Sequence, residues 1–117
     1  MSKGYGYLYT GTSGHIIGVA STLPRNPQQL LDNGWEDITH PSAKGTGHMK
    51  LKETSTKLTI GFDKGDSGKN GYRGKDHYHI FNPNATSNKD LYLDENGNPV
   101  SKGSAKSHIL PKGGKKQ

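Results

Sequence analysis

The sequence contains no cysteine and few aliphatic residues, and each shortage excludes a class of protein. Without cysteine the chain has no disulfide framework, no thiolate nucleophile and no cysteine-based zinc site. Leu, Ile, Val and Phe make up nineteen of the 117 residues, about 16%, which is below the roughly 20% that marks disordered chains. No apolar run has the length of a membrane span, and the first residues lack the hydrophobic segment of a signal peptide. The composition therefore allows one small domain with a modest core.

Positive charge is in excess, and it is concentrated towards the end of the chain. The formal net charge is +6, and every charged residue after position 100 is a lysine, namely Lys102, Lys106, Lys112, Lys115 and Lys116. Such a balance favours a polyanionic partner. Composition alone does not choose between nucleic acid, an acidic protein and a membrane surface.

Local signals near the N-terminus predict one short helix. Asn26 is a good N-cap, Pro27 suits the first helical position, and Gly34 provides a stop. Before it, residues 1–25 form a lead-in that allows a strand, because Tyr5, Tyr7 and Tyr9 alternate with other residues.

After Gly34 the apolar period changes to two, which indicates β-strands. Strands are predicted at residues 35–39, 48–53, 57–62, 77–81 and 90–94, and Asn96-Gly97 predicts a type I′ hairpin turn. We therefore expect an α+β fold with a small, twisted, mostly antiparallel sheet and one or two short helices. Residues 26–110 form the predicted core, and residues 111–117 form a basic tail predicted to be disordered.

The densest chemical cluster is the segment Lys75-Asp76-His77-Tyr78-His79. In a strand, His77 and His79 share a face and lie about 7 Å apart. Imidazole is the natural acid and base near neutral pH, and RNA cleavage by the 2′-hydroxyl needs one group of each kind. The cations that would stabilise charge on a phosphate are Lys75, Arg73 and Lys102. The alternatives are two structural histidines, or a zinc site formed by both with His108.

A second candidate segment runs from Lys102 to His108. Its small residues, hydroxyls and lysines suit the binding of phosphate, and we assign Ser104, Ser107 and Lys102 to substrate contact. The alternative is a solvated basic segment. Asp63, at the end of an apolar strand, looks mainly like a turn former, and His48 is expected on a solvated strand face with Lys50 and Lys52.

An ordered series of motifs resembles a known family. The series comprises Gly34-Trp35-Glu36-Asp37-Ile38-Thr39-His40-Pro41, Phe62-Asp63-Lys64-Gly65, Gly74-Lys75-Asp76-His77-Tyr78-His79 with Asn82-Pro83-Asn84, Tyr92-Leu93-Asp94 with Gly97-Asn98-Pro99-Val100, and Lys102-Gly103-Ser104 with Ser107-His108-Ile109. Together these motifs, which span about residues 27–111, resemble the C-terminal toxin domains of bacterial polymorphic toxins, including those of contact-dependent growth inhibition.

This resemblance implies a secreted nuclease toxin, delivered into the cytoplasm of a competing bacterium and neutralised in the producer by an immunity protein. It implies a fold similar to that of compact bacterial ribonucleases, and cleavage of RNA, often tRNA, without a metal or cofactor. The matching polar positions are His77, His79, Lys75, Ser104, Ser107 and His108. An acidic immunity protein would suit the net charge.

The residues and the resemblance together suggest three alternative functions. The first is a metal-independent endoribonuclease in which His77 acts with His79 or His108 and an aromatic residue such as Tyr78 or Tyr72 stacks on a base. The second is a metal-dependent nuclease of the His-Asn-His type that uses Asp76-His77, Asn82 or Asn84, and His108. The third is a basic module that binds nucleic acid or protein without catalysis.

Overall fold

The computed structural model describes residues 13–66 and 68–112, and these form an α+β domain as predicted. The six strands are β1 (Trp35–Asp37), β2 (His48–Glu53), β3 (Thr59–Asp63), β4 (His77–Phe81), β5 (Tyr92–Leu93) and β6 (Pro99–Val100). They form one antiparallel sheet in chain order, β1 to β6. Two helices, α1 (Ser13–Thr22) and α2 (Gln28–Leu31), precede the sheet. Short 3-10 turns lie at Pro41–Ala43, Gly71–Gly74 and Ala105–Ser107.

Helix α1 and one face of the sheet enclose the core. Apolar residues of the N-terminal segment recur at helical spacing, so Ile16, Val19, Ala20 and Leu23 lie on one side and are buried. They belong to the same cluster as the inward residues of the sheet, which are Trp35, Leu51, Leu58, Ile60, Phe62, Tyr78, Ile80, Leu93 and Ile109. The sparse aliphatic content is thus gathered in a single layer.

The N-terminal prediction was wrong for residues 13–22, which form a helix and not a strand. The physical reason is the three- and four-residue spacing of the apolar positions, which buries one helical side. The lead-in of residues 1–25 therefore contributes part of the core. Its Tyr5, Tyr7 and Tyr9 lie outside the described residues, as do positions 113–117 of the predicted tail.

The predicted helix at Asn26 is confirmed but is only one turn long. The Asn26 side chain accepts a hydrogen bond from the backbone N–H of Gln28 at 3.0 Å, as expected of a cap. Gly34, with a φ of 91°, lies in the left-handed region and ends the turn. At the other end of the chain, Lys112 donates its backbone N–H to Leu23 O at 2.8 Å, so the tail is tied to the core up to this residue.

The Asn96-Gly97 hairpin forms with a different turn from the predicted type I′. A type I′ turn needs a positive φ at both residues, and only Gly97 has one, at 84°. The backbone N–H of Gly97 bonds to Asp94 O at 3.0 Å, and the N–H of Asp94 bonds to Asn98 O at 2.9 Å. This is a three-residue loop with glycine at the bulge position. The Asp94 carboxylate favours it by accepting from the N–H groups of Asn96 and Asn98.

The loop between β3 and β4 folds back closely on itself. The backbone N–H of Asp66 bonds to Arg73 O at 2.7 Å, and that of Gly65 bonds to the Asp76 carboxylate at 2.8 Å. A Cβ at Gly65 would lie only 2.5 Å from Lys75 N, so only glycine fits there. The loop consequently brings residues 64–66 and 68–73 to one end of the sheet. No helix among the described residues has the length and apolar character needed to cross a membrane.

Candidate functional site

Three histidines meet on the face of the sheet opposite the core. His77 and His79 alternate with the buried Tyr78 and Ile80 along β4. Tyr78 forms a two-bond antiparallel bridge with Ile109, which places the preceding His108 beside both histidines. The ring centroids are 5.0 Å apart for His77 and His79, and 4.9 Å from each of these to His108.

A backbone carbonyl fixes the tautomer of each ring. The Nδ1 distances to carbonyl oxygens are 2.9 Å from His77 to Lys75, 2.8 Å from His79 to Ser107, and 2.9 Å from His108 to Ser104. Because a carbonyl oxygen only accepts, each Nδ1 carries a proton. The Nε2 atoms are therefore the nitrogens left for chemistry.

Asp63 is the acidic centre of this cluster. It lies opposite His77 in the register of β3 with β4, and its Oδ2 is 3.3 Å from His77 Nε2 and 3.5 Å from His79 Nε2. Its Oδ1 pairs with His48 Nδ1 at 2.5 Å. Hydrogen bonds with His77, His79 and His48 hold the pKa of the Asp63 carboxyl well below its usual range, although burial opposes this. Asp63 is thus a fixed negative charge among imidazoles.

The environments of His77 and His108 shift their pKa values in opposite directions. Burial lowers the pKa of His77, but bonds to Asp63 and to the Lys75 carbonyl outweigh it and raise the pKa above the ordinary 6.5. Burial lowers the pKa of His108 below 6.5, and the nearby His79 and His77 lower it further when they are charged. Separated pKa values of this kind distinguish an acid from a base in one site.

Two tyrosines pack against the histidine rings. Tyr72 stacks on His108 with centroids 4.3 Å apart, and Tyr92 stacks on His79 with centroids 4.4 Å apart. Both rings are half-buried. They restrict rotation of the two imidazoles and leave aromatic edges beside the site.

The cluster borders a cavity of about 480 Å³, called here the histidine cavity. Its cations are Lys64 and Arg73, both exposed, and its remaining lining residues are His48, Asp63, Asp66, Asn70, Tyr72, His77, His79 and His108. Exposed cations beside converging imidazoles can hold an anion such as a phosphodiester.

The same three histidines offer the nitrogen ligand atoms that a metal ion needs. One ligand atom from each of His77, His79 and His108 lies within 4.8 Å of the others. Histidines that bind zinc usually donate their second ring N–H to a carbonyl or carboxylate, as these do to carbonyls. The Asp63 carboxylate lies 3.3 Å and 3.5 Å from the Nε2 atoms of His77 and His79 but does not belong to this three-histidine group.

The structure brings some of the predicted site residues together and leaves others outside. His77, His79, His108 and Arg73 line the histidine cavity. The side chains of Lys75 and Lys102 are exposed and do not line it, although the Lys75 carbonyl anchors His77.

Ser104 and Ser107 hold two of the histidine rings through their backbone carbonyls. Their carbonyls accept the Nδ1 protons of His108 and His79. Ser107 is fully buried, and its hydroxyl donates to Ser104 O at 2.7 Å. These contacts are those of positioning residues, in place of the substrate contact assigned from the sequence.

Tyr78 lies on the opposite, core face of the sheet, so substrate contact does not fit its position. Its ring is fully buried, packs edge-on against Phe62 and donates its hydroxyl to Pro24 O. Burial raises the pKa of this hydroxyl far above its usual range, so it stays protonated. The tyrosine that lines the histidine cavity is instead Tyr72, and Tyr92 stacks on His79.

Sequence reasoning gave too little weight to Asp63 and His48 and missed Tyr92. The signal for Asp63 is its place on the polar side of β3, directly opposite His77 in the register. His48 occupies the corresponding place on β2, opposite Asp63. His48, Asp63 and His77 lie side by side on three adjacent strands, so finding them requires the pairing register of β2, β3 and β4. The alternation of residues along each single strand does not provide that register.

No family model, no curated protein and no solved structure matches this chain. The geometry of the histidine cavity therefore carries the functional argument.

Proposed function

We propose that this protein is an endoribonuclease that cleaves RNA by transesterification without a metal ion. The observation that carries the proposal is the convergence of three carbonyl-anchored imidazoles on a cavity edged by Lys64 and Arg73. RNA contains its own nucleophile, the 2′-hydroxyl, so the enzyme must supply only a base, an acid and stabilisation of the phosphate.

His108 is the general base of the proposed reaction. Its Nδ1 proton is bonded to Ser104 O, and its lowered pKa keeps Nε2 unprotonated near neutral pH. Nε2 takes the proton from the 2′-hydroxyl as the 2′-oxygen attacks phosphorus. Tyr72, stacked on the ring, holds the imidazole in place.

His77 is the general acid. Its raised pKa favours the form that is protonated on both nitrogens, and Asp63 stabilises the charge of that form. As the bond from phosphorus to the 5′-oxygen breaks, His77 Nε2 gives that oxygen its proton. The products are a 2′,3′-cyclic phosphate and a 5′-hydroxyl, so the two histidines end with their protonation states exchanged.

His79 and the cations surround the phosphate in this arrangement. His79 Nε2 lies near the Asp63 carboxylate and points to the same cavity, where it can donate to a phosphoryl oxygen when charged. Arg73 and Lys64 add positive charge at the edge of the cavity. Charge developing on the equatorial oxygens is best stabilised by donors that are already in position.

The biological setting that we propose is that of a toxin domain. The motif series from Gly34 to Ile109 supports it through its resemblance to polymorphic toxin domains, and the net charge of +6 suits RNA as the substrate. In this setting the domain acts in the cytoplasm of a target cell, on tRNA or another RNA. A cognate acidic immunity protein neutralises it in the producing cell.

The direct test is incubation of the purified chain with total RNA and with tRNA in excess EDTA. Cleavage products that carry a 2′,3′-cyclic phosphate and a 5′-hydroxyl are expected. The His77→Ala variant should lose most of this cleavage while its circular dichroism spectrum stays native. Undiminished cleavage by a folded His77→Ala protein would contradict the assignment.

A metal-dependent nuclease is the second candidate, and the convergence of His77, His79 and His108 favours it. The predicted His-Asn-His arrangement does not fit it, because neither Asn82 nor Asn84 lines the histidine cavity. The Asn82 side chain instead donates to Asp90 O in the following loop. The Asp76 carboxylate likewise accepts the N–H of Gly65 and shapes the loop before β4.

The two candidates differ in their response to added ions. Metal-independent cleavage survives EDTA, and added Zn²⁺ should inhibit it by occupying the imidazoles. Metal-dependent cleavage stops in EDTA and returns with one divalent ion. A protein that binds RNA but cleaves it under neither condition would be a non-catalytic binding module.

A further inference from the structure

A second cavity adjoins the histidine cavity and shares a wall with it. This turn cavity has a volume of about 350 Å³ and is lined by Tyr72, Asp94, Glu95, Asn96, Ala105, Lys106 and His108. Tyr72 and His108 line both cavities. The two cavities are therefore adjacent at these two residues.

The two cavities differ in charge. The histidine cavity has four imidazoles, the cations Lys64 and Arg73, and the carboxylates of Asp63 and Asp66, and Asp63 pairs with three of those imidazoles. The turn cavity has one imidazole, the carboxylates of Asp94 and Glu95, and one cation, Lys106. Carboxylates repel a phosphate and accept N–H groups. The turn cavity is thus suited to the base of the substrate and not to its backbone.

Its carboxylates belong to a well-ordered turn. Asp94 is buried and accepts from the N–H groups of Asn96 and Asn98, both at 2.9 Å. These two bonds hold the backbone of the turn that carries Glu95. The Glu95 side chain is exposed and pairs with Lys112 through Oε1 at 3.3 Å, which leaves lone pairs on both carboxylate oxygens for further donors.

We propose that the turn cavity is a base-recognition subsite that selects guanine next to the cleaved phosphodiester. The inference rests on the proposed ribonuclease function and names its substrate preference. Glu95 accepts the N1–H and N2–H groups of the guanine edge, Lys106 donates to O6 or N7, and Tyr72 provides an aromatic surface for the base.

Guanine fits this set of groups better than the other bases do. It alone presents two adjacent N–H groups that match one carboxylate and, at another edge, the paired acceptors O6 and N7 that suit a lysine. Uracil offers one ring N–H between two carbonyls, which face a carboxylate unfavourably. Adenine and cytosine each offer a single exocyclic amino group beside an unprotonated ring nitrogen.

The test uses the full chain and short oligouridylates that contain one guanosine, inosine, adenosine or cytidine. Cleavage next to guanosine should exceed cleavage next to uridine by about 5- to 150-fold, the range for a good bidentate base contact. Inosine lacks the N2 amino group and should lose most of this advantage. Equal cleavage at every base would overturn the inference, and no cleavage of any oligonucleotide would instead overturn the proposed function.

A substitution and a matched control identify the subsite. Glu95→Gln should bring the rate at guanosine down to that at inosine, with little change at uridine. Glu36→Gln removes an equal charge from an exposed position on β1, at the far edge of the sheet, and should leave the preference intact. A guanosine preference that survives Glu95→Gln would assign base selection to another surface and overturn the proposal.

Discussion

The two sides of strand β4 serve different purposes although they share one backbone. Tyr78 and Ile80 face the core and are fully buried in the apolar cluster. His77 and His79 face the histidine cavity, where every ring nitrogen has a polar neighbour. The alternation of a β-strand thus keeps the apolar contacts of the core and the polar contacts of the site apart.

This separation has a practical consequence for a chain with so few aliphatic residues. The core side of β4 is supported by α1 and by Ile109. The cavity side is held by contacts with Asp63 and by hydrogen bonds to the carbonyls of residues 75 and 107. Substitutions on the two sides should therefore have separable effects on stability and on activity. The predictions below test that separation.

The largest effect is expected from His108→Ala, on the cavity side. Loss of the general base should reduce the kcat of RNA cleavage by about 10²- to 10⁴-fold. The free energy of unfolding should change by about 1 kcal/mol or less, because the ring is half-buried and outside the apolar cluster. Single-turnover kinetics and urea unfolding provide the two measurements. Large losses of both kcat and stability would show that His108 supports the fold. The effects of the two sides of β4 on stability and on activity would then not be separable.

The corresponding substitution on the core side of β4 is Ile80→Ala. It should lower the free energy of unfolding by about 2 to 5 kcal/mol, since the side chain is completely buried. Ile80→Val is the matched control, with an expected cost of about 0.5 to 1.5 kcal/mol. Under conditions where both variants are folded, their kcat should equal that of the unmodified chain. A lower kcat in the folded Ile80→Val protein would show that packing behind β4 sets the histidine geometry.

The parts of this arrangement that the sequence predicts are the local ones. Strand β2, strand β4 and the shared face of His77 and His79 follow from a period of two. The cap at Asn26 follows from side-chain chemistry within three residues. In each case the determining contacts lie within a few positions, so a pattern is sufficient.

The parts that the sequence does not predict depend on pairing between distant segments. Asp63 joins the histidines only through the β3–β4 register. His108 is named from the sequence as a partner of His77 and His79, but its place beside them depends on the bridge between Ile109 and Tyr78, which no local pattern indicates. Helix α1 was missed because a segment rich in Gly, Ser and Thr has weak helix propensity and is stabilised by its burial against the sheet.

Asp63→Asn should have an intermediate effect and should change the pH profile. The proposed mechanism requires a neutral His108 and a protonated His77. Because the pKa of His108 lies below 6.5 and that of His77 above it, the rate should be level around pH 6.5 and fall on both sides. Removing the Asp63 charge takes away the strongest interaction that opposes the effect of burial on His77, so the pKa of His77 should fall.

The alkaline limb of the profile should therefore move to lower pH in Asp63→Asn, with little movement of the acid limb. At pH 6.5, kcat should decrease by about 10- to 150-fold, the cost of losing a charge-assisted hydrogen bond of about 1.5 to 3 kcal/mol. Measurement of kcat from pH 5 to 9 checks both features, and Asp63→Glu should restore part of the alkaline limb. An unchanged alkaline limb would show that Asp63 does not set the protonation of the acid.

The smallest effects distinguish two serines beneath the site. The Ser107 hydroxyl donates to Ser104 O, so Ser107→Ala should cost about 0.5 to 1.5 kcal/mol of stability. The buried Ser104 hydroxyl has no hydrogen-bond partner, so Ser104→Ala should be neutral or slightly stabilising. Both variants keep the carbonyls that anchor His79 and His108. The KM for RNA should therefore stay unchanged in assays at a temperature where thermal melts show both variants to be folded. A raised KM in either variant would mean that its hydroxyl contacts the substrate. Residues 104–107 would then include groups that bind the substrate as well as groups that position the histidines.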